Sequence, residues 1–286
     1  CFGCGKGGNV VTFIMEYDKL GFREAMEALA HPLGMALPEL EDQRDHENQS
    51  KALFELTDQI KQFFCQQLTQ AAEAIEYLKE QRNLTGVTAK TFSLGFAPDS
   101  WQALASHFPT QKHPQLLQVG ALKQKNNRYY DAFRQRIMFP IRDTRGRVVG
   151  FGGRSLKGDP PKYLNSPETV LFHKNHELYG LYEALQHNRT LQQVLVVEGY
   201  MDVVALHQHN ISNAVATLGT AINETHIKKL LRYATEIIFC FDGDPAGQRA
   251  SFKAMLSSLP LLRDGICFKV LTLPGKLDPD DYCQQH

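Results

Sequence analysis

The sequence predicts two fold classes in series, an α+β part followed by an α/β part. Three observations carry that expectation. Past Leu191 short apolar runs alternate with helical stretches, the pattern of a parallel sheet with crossover helices. From Arg136 onward a two-residue period with the turn sequence "DTRG" marks a hairpin. Ahead of it, residues 51–82 carry apolar residues at helical spacing. The length of 286 residues suggests roughly two domains. With 43% hydrophobic and 22% charged residues, the composition is that of a globular protein. No apolar run approaches the ~18 residues of a membrane span.

In chain order, "NVVTFIMEY" and "GFREAMEALAH" read as two helices broken at Gly21. "PELEDQRDHENQ" follows, with Glu39, Glu41, Asp42, Asp45 and Glu47 against Arg44 alone, and reads as a solvated linker. The long helical region after it is predicted to break near Thr69–Gln70. Asp99 or Ser100 is placed to cap a helix starting near Trp101. In "RIMFPIRDTRGRVVGFGGRS", Pro140 puts the first strand at an edge or a bulge. The strands of the last part are "VLVVEG", "NAVATLG", "EIIFCFD" and "FKVLTL". The helices between them include one capped by Asn223.

In such a sheet ligands bind beyond the carboxyl ends of the strands. Glu198 follows the first strand, Asp242 and Asp244 the third, and Asp278, Asp280 and Asp281 the fourth. Carboxylates brought together raise one another's pKa unless a cation neutralises them. Oxygen ligands suit Mg²⁺ or Mn²⁺, and two-ion phosphoryl chemistry. "DGDPAG" alone also reads as an ordinary turn, and Glu198 alone as a helix-start acid. The three strand ends together favour a metal site.

From Phe133 to Arg154 there are six arginines (134, 136, 142, 145, 147, 154) against one acid, Asp143, a net charge of plus five. Arg134, Arg136 and Arg142 stand at even steps and would share a face of one regular strand. Phe133, Phe139, Phe151 and Tyr163 interleave with the cations, as in single-strand binders. A solvated basic face is the plainer alternative. Basic and acidic blocks together account for the formal net charge of zero.

Six cysteines are present. Cys240 and Cys267, in apolar runs, read as buried reduced thiols and suggest a cytoplasmic setting. Cys1 and Cys4 have the spacing of half a zinc site, or are incidental thiols in a glycine-rich turn.

Taken together, "VVEGYMDVVAL", "ATLGTA", "FCFDGDPAGQRA" and "DPDDY" resemble the Toprim domain of the bacterial DNA primase family. "RIMFPIRDTRGRVVGFGGR" and "PKYLNSPET" resemble that family's polymerase region, and "CFGCGKGGNVVTFIMEYDKLGFREAMEALA" the tail of its zinc-binding domain. The resemblance implies four parts: the end of a zinc domain (1–37), an acidic linker (38–50), a basic α+β subdomain (51–190) and a Toprim domain (191–286). It implies Glu198, Asp242 and Asp244 as central metal-binding acids, Asp278 and Asp280 as a further pair, and Asp202 as a secondary acid. Arg82, Arg134, Arg154, Lys162 and Lys174 match the family's template- and nucleotide-binding ridge, although "EQRNLT" around Arg82 departs from the family's Arg-Gly-Leu. It implies zinc at Cys1 and Cys4, completed by a Cys and a His expected upstream of residue 1. The implied activity is synthesis of short RNA primers from NTPs on single-stranded DNA, at the replication fork in the cytoplasm. The implied partner is the replicative helicase, reached through a C-terminal domain that this sequence does not include. Two rival readings are another Toprim enzyme, a nuclease or topoisomerase, and a non-catalytic module that binds single strands or recruits helicase.

Overall fold

The structure, a computed structural model, describes residues 7–18, 20–33, 41–188, 190–275 and 277–285. The chain divides into two compact units, Cys1–Ser50 and Lys51–His286. In the first unit α1 (Val10–Tyr17) is capped by Asn9, whose Oδ1 accepts the Thr12 N–H at 3.0 Å. Gly21, the expected break, is the N-cap of α2 (Phe22–Ala30). Its N–H donates to the Glu24 carboxylate at 2.8 Å.

The stretch 38–50, read from its acids as a linker, is helical from Glu41, where α3 (Glu41–Gln70) begins. Glu, Gln and Arg are strong helix formers, so a polar composition there suits a helix as well as coil. Within the second unit, Leu53, Leu56, Ile60, Phe63 and Phe64 of α3 pack into a core with Phe151 and Met138. The helix stops at Gln70, and α4 (Ala72–Glu76) runs into a π-helical turn, Tyr77–Gln81. Then come α5 (Gly86–Thr91), β1 (Gly95–Ala97), α6 (Ala103–His107) and α7 (His113–Gln118).

Neither Asp99 nor Ser100 caps α6. The buried carboxylate of Asp131 does so from a distant strand, accepting the N–H groups of Leu104 (2.8 Å) and Ala105 (3.0 Å). That residue ends a two-stranded ribbon, β2 (Leu122–Lys125) and β3 (Arg128–Asp131). The hairpin strands β4 (Arg136–Arg142) and β5 (Val148–Ser155) follow, with β6 (Tyr163–Asn165), in an antiparallel sheet ordered β1-β4-β5-β6. Asp143 holds the turn by accepting the N–H groups of Arg145 and Arg147.

β4 is an inner strand, yet Pro140 is accommodated. β1 pairs only with Arg136–Met138, so Pro140 lies past its end, and the register shifts between Ile141 and Arg142. Arg134, Arg136 and Arg142, expected on one face, have separate surroundings. Arg136 is buried and donates to the Pro161 carbonyl. Arg142 pairs with buried Glu183 at 2.6 Å. Arg134 precedes the strand altogether.

After α8 (Leu181–His187) come β7 (Gln193–Val197), α9 (Tyr200–Gln208), β8 (Ala214–Ala216), α10 (Glu224–Leu230), β9 (Glu236–Phe239), α11 (Pro245–Ser258), β10 (Cys267–Val270) and α12 (Pro279–Gln285). The strands pair in parallel in the order β10-β9-β7-β8. Asn223 caps α10 as expected, accepting the His226 N–H at 3.0 Å. Val203 and Leu206 of α9 pack on Leu195 and Val197, whereas Ile227 and Leu230 of α10 pack with Val194 and Val196. The chain leaves β7 toward β8 on one side and leaves β9 toward β10 on the other, which puts the topological switch point between β7 and β9. Cys240 is buried, but Cys267 is exposed, because β10 is the sheet's edge strand. No described helix is long and apolar enough to cross a membrane.

Candidate active site

The carboxyl ends of β7 and β9 carry Glu198 and Asp242 to the switch point. Glu198 Oε1 accepts the Asp242 N–H at 3.3 Å. Two residues on, Asp244 is the N-cap of α11, its Oδ1 accepting the N–H groups of Ala246 and Gly247 at 2.8 Å each. A Cβ on Gly247 would lie 2.1 Å from the Asp242 carbonyl oxygen. Glycine therefore lets the helix start against the strand end that bears the acids. Asp278 Oδ1 accepts the Asp281 N–H at 2.6 Å at the start of α12.

Burial, Glu198, Asp278, Asp244 and Asp281 together push the Asp242 carboxyl up to about 6. Asp202, buried at the first turn of α9, accepts the Gly199 N–H at 2.9 Å. Burial first, then Asp278, holds it well above the usual carboxylate range. Glu198, Asp242, Asp244, Asp278 and Asp202 thus form one acidic row. Among the described residues no three His, Cys, Asp or Glu groups close into a ready metal cage. Magnesium typically takes one or two carboxylates and completes its shell with water and phosphate. An open row of mutually repelling acids, one held near 6, fits that donor requirement.

Asp280 is placed differently. It is 2% exposed, with Oδ1 accepting from Gln284 (2.7 Å) and Oδ2 facing the Arg82 guanidinium (3.3 Å). Arg82 also donates from Nε to the Tyr77 hydroxyl at 2.9 Å. The structure thus ties Arg82 and Asp280 to each other. Arg154 lies between two aromatic rings, 5.1 Å from the Tyr77 centroid and 5.7 Å from that of Tyr163. It is only 6% exposed, yet its Nε and Nη1 have no hydrogen-bond partner. Lys162 lies 5.9 Å from the same Tyr163 ring. Burial raises the Tyr163 hydroxyl, and Arg154, Asp202, Arg82 and Asp278 all act on it, so this tyrosine joins the cations to the acidic row.

Arg134 stands apart, 4.1 Å over the Trp101 ring and 3.4 Å from Asp99. Lys174 is anchored through its backbone, its carbonyl facing His226 Nε2 at 3.0 Å and its N–H donating to Glu168. Cys1 and Cys4 lie outside the described residues. Sequence reasoning missed Tyr77 and Asn165. Asn165 Nδ2 donates to the Leu218 carbonyl at 2.7 Å, and its Oδ1 accepts from the Tyr200 hydroxyl, so one amide ties β6 to the loop after β8. Its place inside "PKYLNSPET" is the signal that pointed there.

A parallel sheet with this acidic switch point, joined to a basic antiparallel sheet, defines a Toprim-type protein with a fused nucleic-acid-enzyme core. Residues 195–283 match the family described as Toprim-like, residues 63–185 that of the DNA primase catalytic core, N-terminal domain, and residues 1–45 that of the CHC2 zinc finger. The chain belongs to the DNA primase family. It is 48% identical over 290 residues to a DNA primase of Pseudomonas putida, covering 98% of this chain and 44% of that protein. The DNA primase of Escherichia coli K12 is 45% identical over 288 residues, with 98% and 49% covered. The chain thus spans about half the length of the curated relatives it matches.

A DnaG primase catalytic domain solved bound to single-stranded DNA superposes with a TM-score of 0.80 at 46% identity, covering 84% of this chain and 76% of that one. The zinc-binding and RNA polymerase domains of Aquifex aeolicus primase give 0.75 at 33% identity, with 100% and 69% covered. The match over residues 63–185 separates this chain from other proteins that share the acidic sheet. Divalent-metal and zinc binding are properties that the Toprim and CHC2 zinc finger families imply.

Proposed function

We propose that this chain is the primer-synthesising part of a DNA primase, with single-stranded DNA as template and NTPs as substrates. In the reaction a nucleotide 3′-oxygen attacks the α-phosphorus of an NTP. The bond to the β,γ-pyrophosphate breaks, and the 3′-hydroxyl proton goes to solvent. Glu198, Asp242 and Asp244, with Asp278, would hold Mg²⁺ or Mn²⁺. Such an ion lowers the pKa of a bound hydroxyl and offsets phosphate charge. Arg154 carries the reading. A buried guanidinium with two unpartnered nitrogen positions is costly unless an anion completes it, and the triphosphate is the anion this chemistry brings. Tyr77 and Tyr163 hold that guanidinium in orientation.

Lys162 and Lys174 add charge for phosphates, and Arg134 with Trp101 offers the template a cation on an aromatic platform. Asp202 and the Arg82–Asp280 pair position the elements that carry the acids. Cys1 and Cys4 are assigned to zinc, and residues 1–37, 51–190 and 191–286 to the zinc, basic and Toprim parts, with 38–50 joining the first two. The replicative helicase is the proposed partner, and the cytoplasmic replication fork the proposed location.

The test is incorporation of labelled NTPs on a single-stranded template by the full-length protein. Glu198→Gln should abolish synthesis while leaving the fold intact, and robust synthesis by that variant would overturn the assignment.

A further inference from the structure

The acidic row has two sides. Arg154, Tyr163 and Asp202 lie on the α9 face of the sheet. On the opposite face, between the loop after β8 and helix α11, is a recess of 260 Å³ with Glu198 at its mouth. Its inner wall is apolar: Phe241 and Ile222 are buried, and Ala254 is fully buried. Lys253 is exposed on its rim. Thr220, in the wall, has a hydroxyl with no hydrogen-bond partner. An apolar slot with few polar groups, on one side of a switch point, has the make-up of a heterocycle site.

We infer that this recess is a second nucleotide subsite, which takes a ribonucleoside phosphate with its base inward and its phosphates toward Lys253 and Glu198. The inference rests on the primase reading for the nature of the ligand. Phosphate beside Glu198 alone would be repelled. Lys253 and the divalent ion implied by the acidic row relieve that repulsion. A base turned into the wall hides its pairing edge, so binding here is independent of template. That separates this subsite from the templated nucleotide on the Arg154 side, while both converge on Glu198.

Photolabelling of the full-length protein with 8-azidoadenosine 5′-triphosphate and Mn²⁺, without DNA, tests the assignment. Label is expected in the peptides carrying Gly219–Ile222 or Ala250–Ala254, undiminished by added single-stranded DNA. Ala250→Phe, which fills the recess without altering an acid, should cut that label about tenfold. Should it fail to fold, Lys253→Ala, an exposed change, should weaken the same label severalfold. Label confined to peptides carrying Arg154 or Tyr163, or unchanged in either folded variant, overturns the subsite. Primer synthesis assayed on the same preparation keeps the two readings apart. Synthesis without recess labelling removes only the subsite, whereas labelling without synthesis removes the primase reading and with it the role given to the ligand.

Discussion

Replacing Gly247 with alanine should destabilise the protein, although the position lies in a helix. In an ordinary helix interior Gly→Ala stabilises by about 0.5–1 kcal/mol. Here the new methyl would meet the Asp242 carbonyl oxygen at 2.1 Å, and the Asp242 carbonyl carbon and nitrogen at 2.8 Å each, where ordinary contact begins at 3.4 Å. All three atoms are backbone, so no side chain can swing away. The first turn of α11 must retreat by more than an ångström, and overpacking of that kind costs ~1–3 kcal/mol. The net expectation is a loss of ~1–2 kcal/mol once the helix gain is set against the overpacking cost. Asp244 caps that turn, so its carboxylate moves with it and Mn²⁺ affinity should fall about tenfold. Urea unfolding and calorimetric Mn²⁺ titration measure the two effects. A G247A protein that gains stability and binds Mn²⁺ as before would refute the close approach of helix and strand end.

Arg154→Met should make the protein more stable by about 1–2 kcal/mol, since it removes a buried charge with unpartnered nitrogens, and should abolish NTP-dependent synthesis. Urea midpoints with a primer assay check this, and a destabilised variant would contradict it. Arg142→Met should cost ~3–5 kcal/mol by stranding buried Glu183, whereas Arg142→Met with Glu183→Leu should recover most of that loss. A double-mutant cycle in urea gives the answer. Protons and metal compete for the Asp242 carboxylate, held at about 6. Mn²⁺ affinity should therefore be flat above that pH and fall up to about tenfold per unit below it; a profile flat down to pH 4 would exclude Asp242 as a ligand.

Much of the parallel sheet was legible because it is built from local rules. Doubly buried strands, Asn223 as a cap and acids just past strand ends all lie within a few residues of what they control. The features that escaped are those whose partners are remote in sequence. Asp131 caps a helix by accepting from N–H groups 26 and 27 residues earlier in the chain. Arg82 and Asp280, 198 positions apart, form an ion pair, and nothing local in the sequence showed that pairing. Arg134 falls before the strand begins and Arg136 is buried against the Pro161 carbonyl, so alternation alone did not show that the three arginines part. Cys267 was misread because apolar spacing does not say which strand lies at the edge.

The π-helical turn at Tyr77–Gln81 sets the direction in which Arg82 points. Arg82 donates its N–H to the Tyr77 carbonyl at 3.2 Å, a five-residue step, and its side chain returns to the same tyrosine. In a regular α-helix residues five apart point about 140° away from each other. Deleting any one residue from 78 to 81 would shorten the step to four residues, about 40° in a regular helix, so Arg82 would still face Tyr77. Straightening the same five residues into an α-helix without a deletion would instead part the two side chains, so the π turn serves as a spacer that lets a five-residue step bring Arg82 back onto Tyr77.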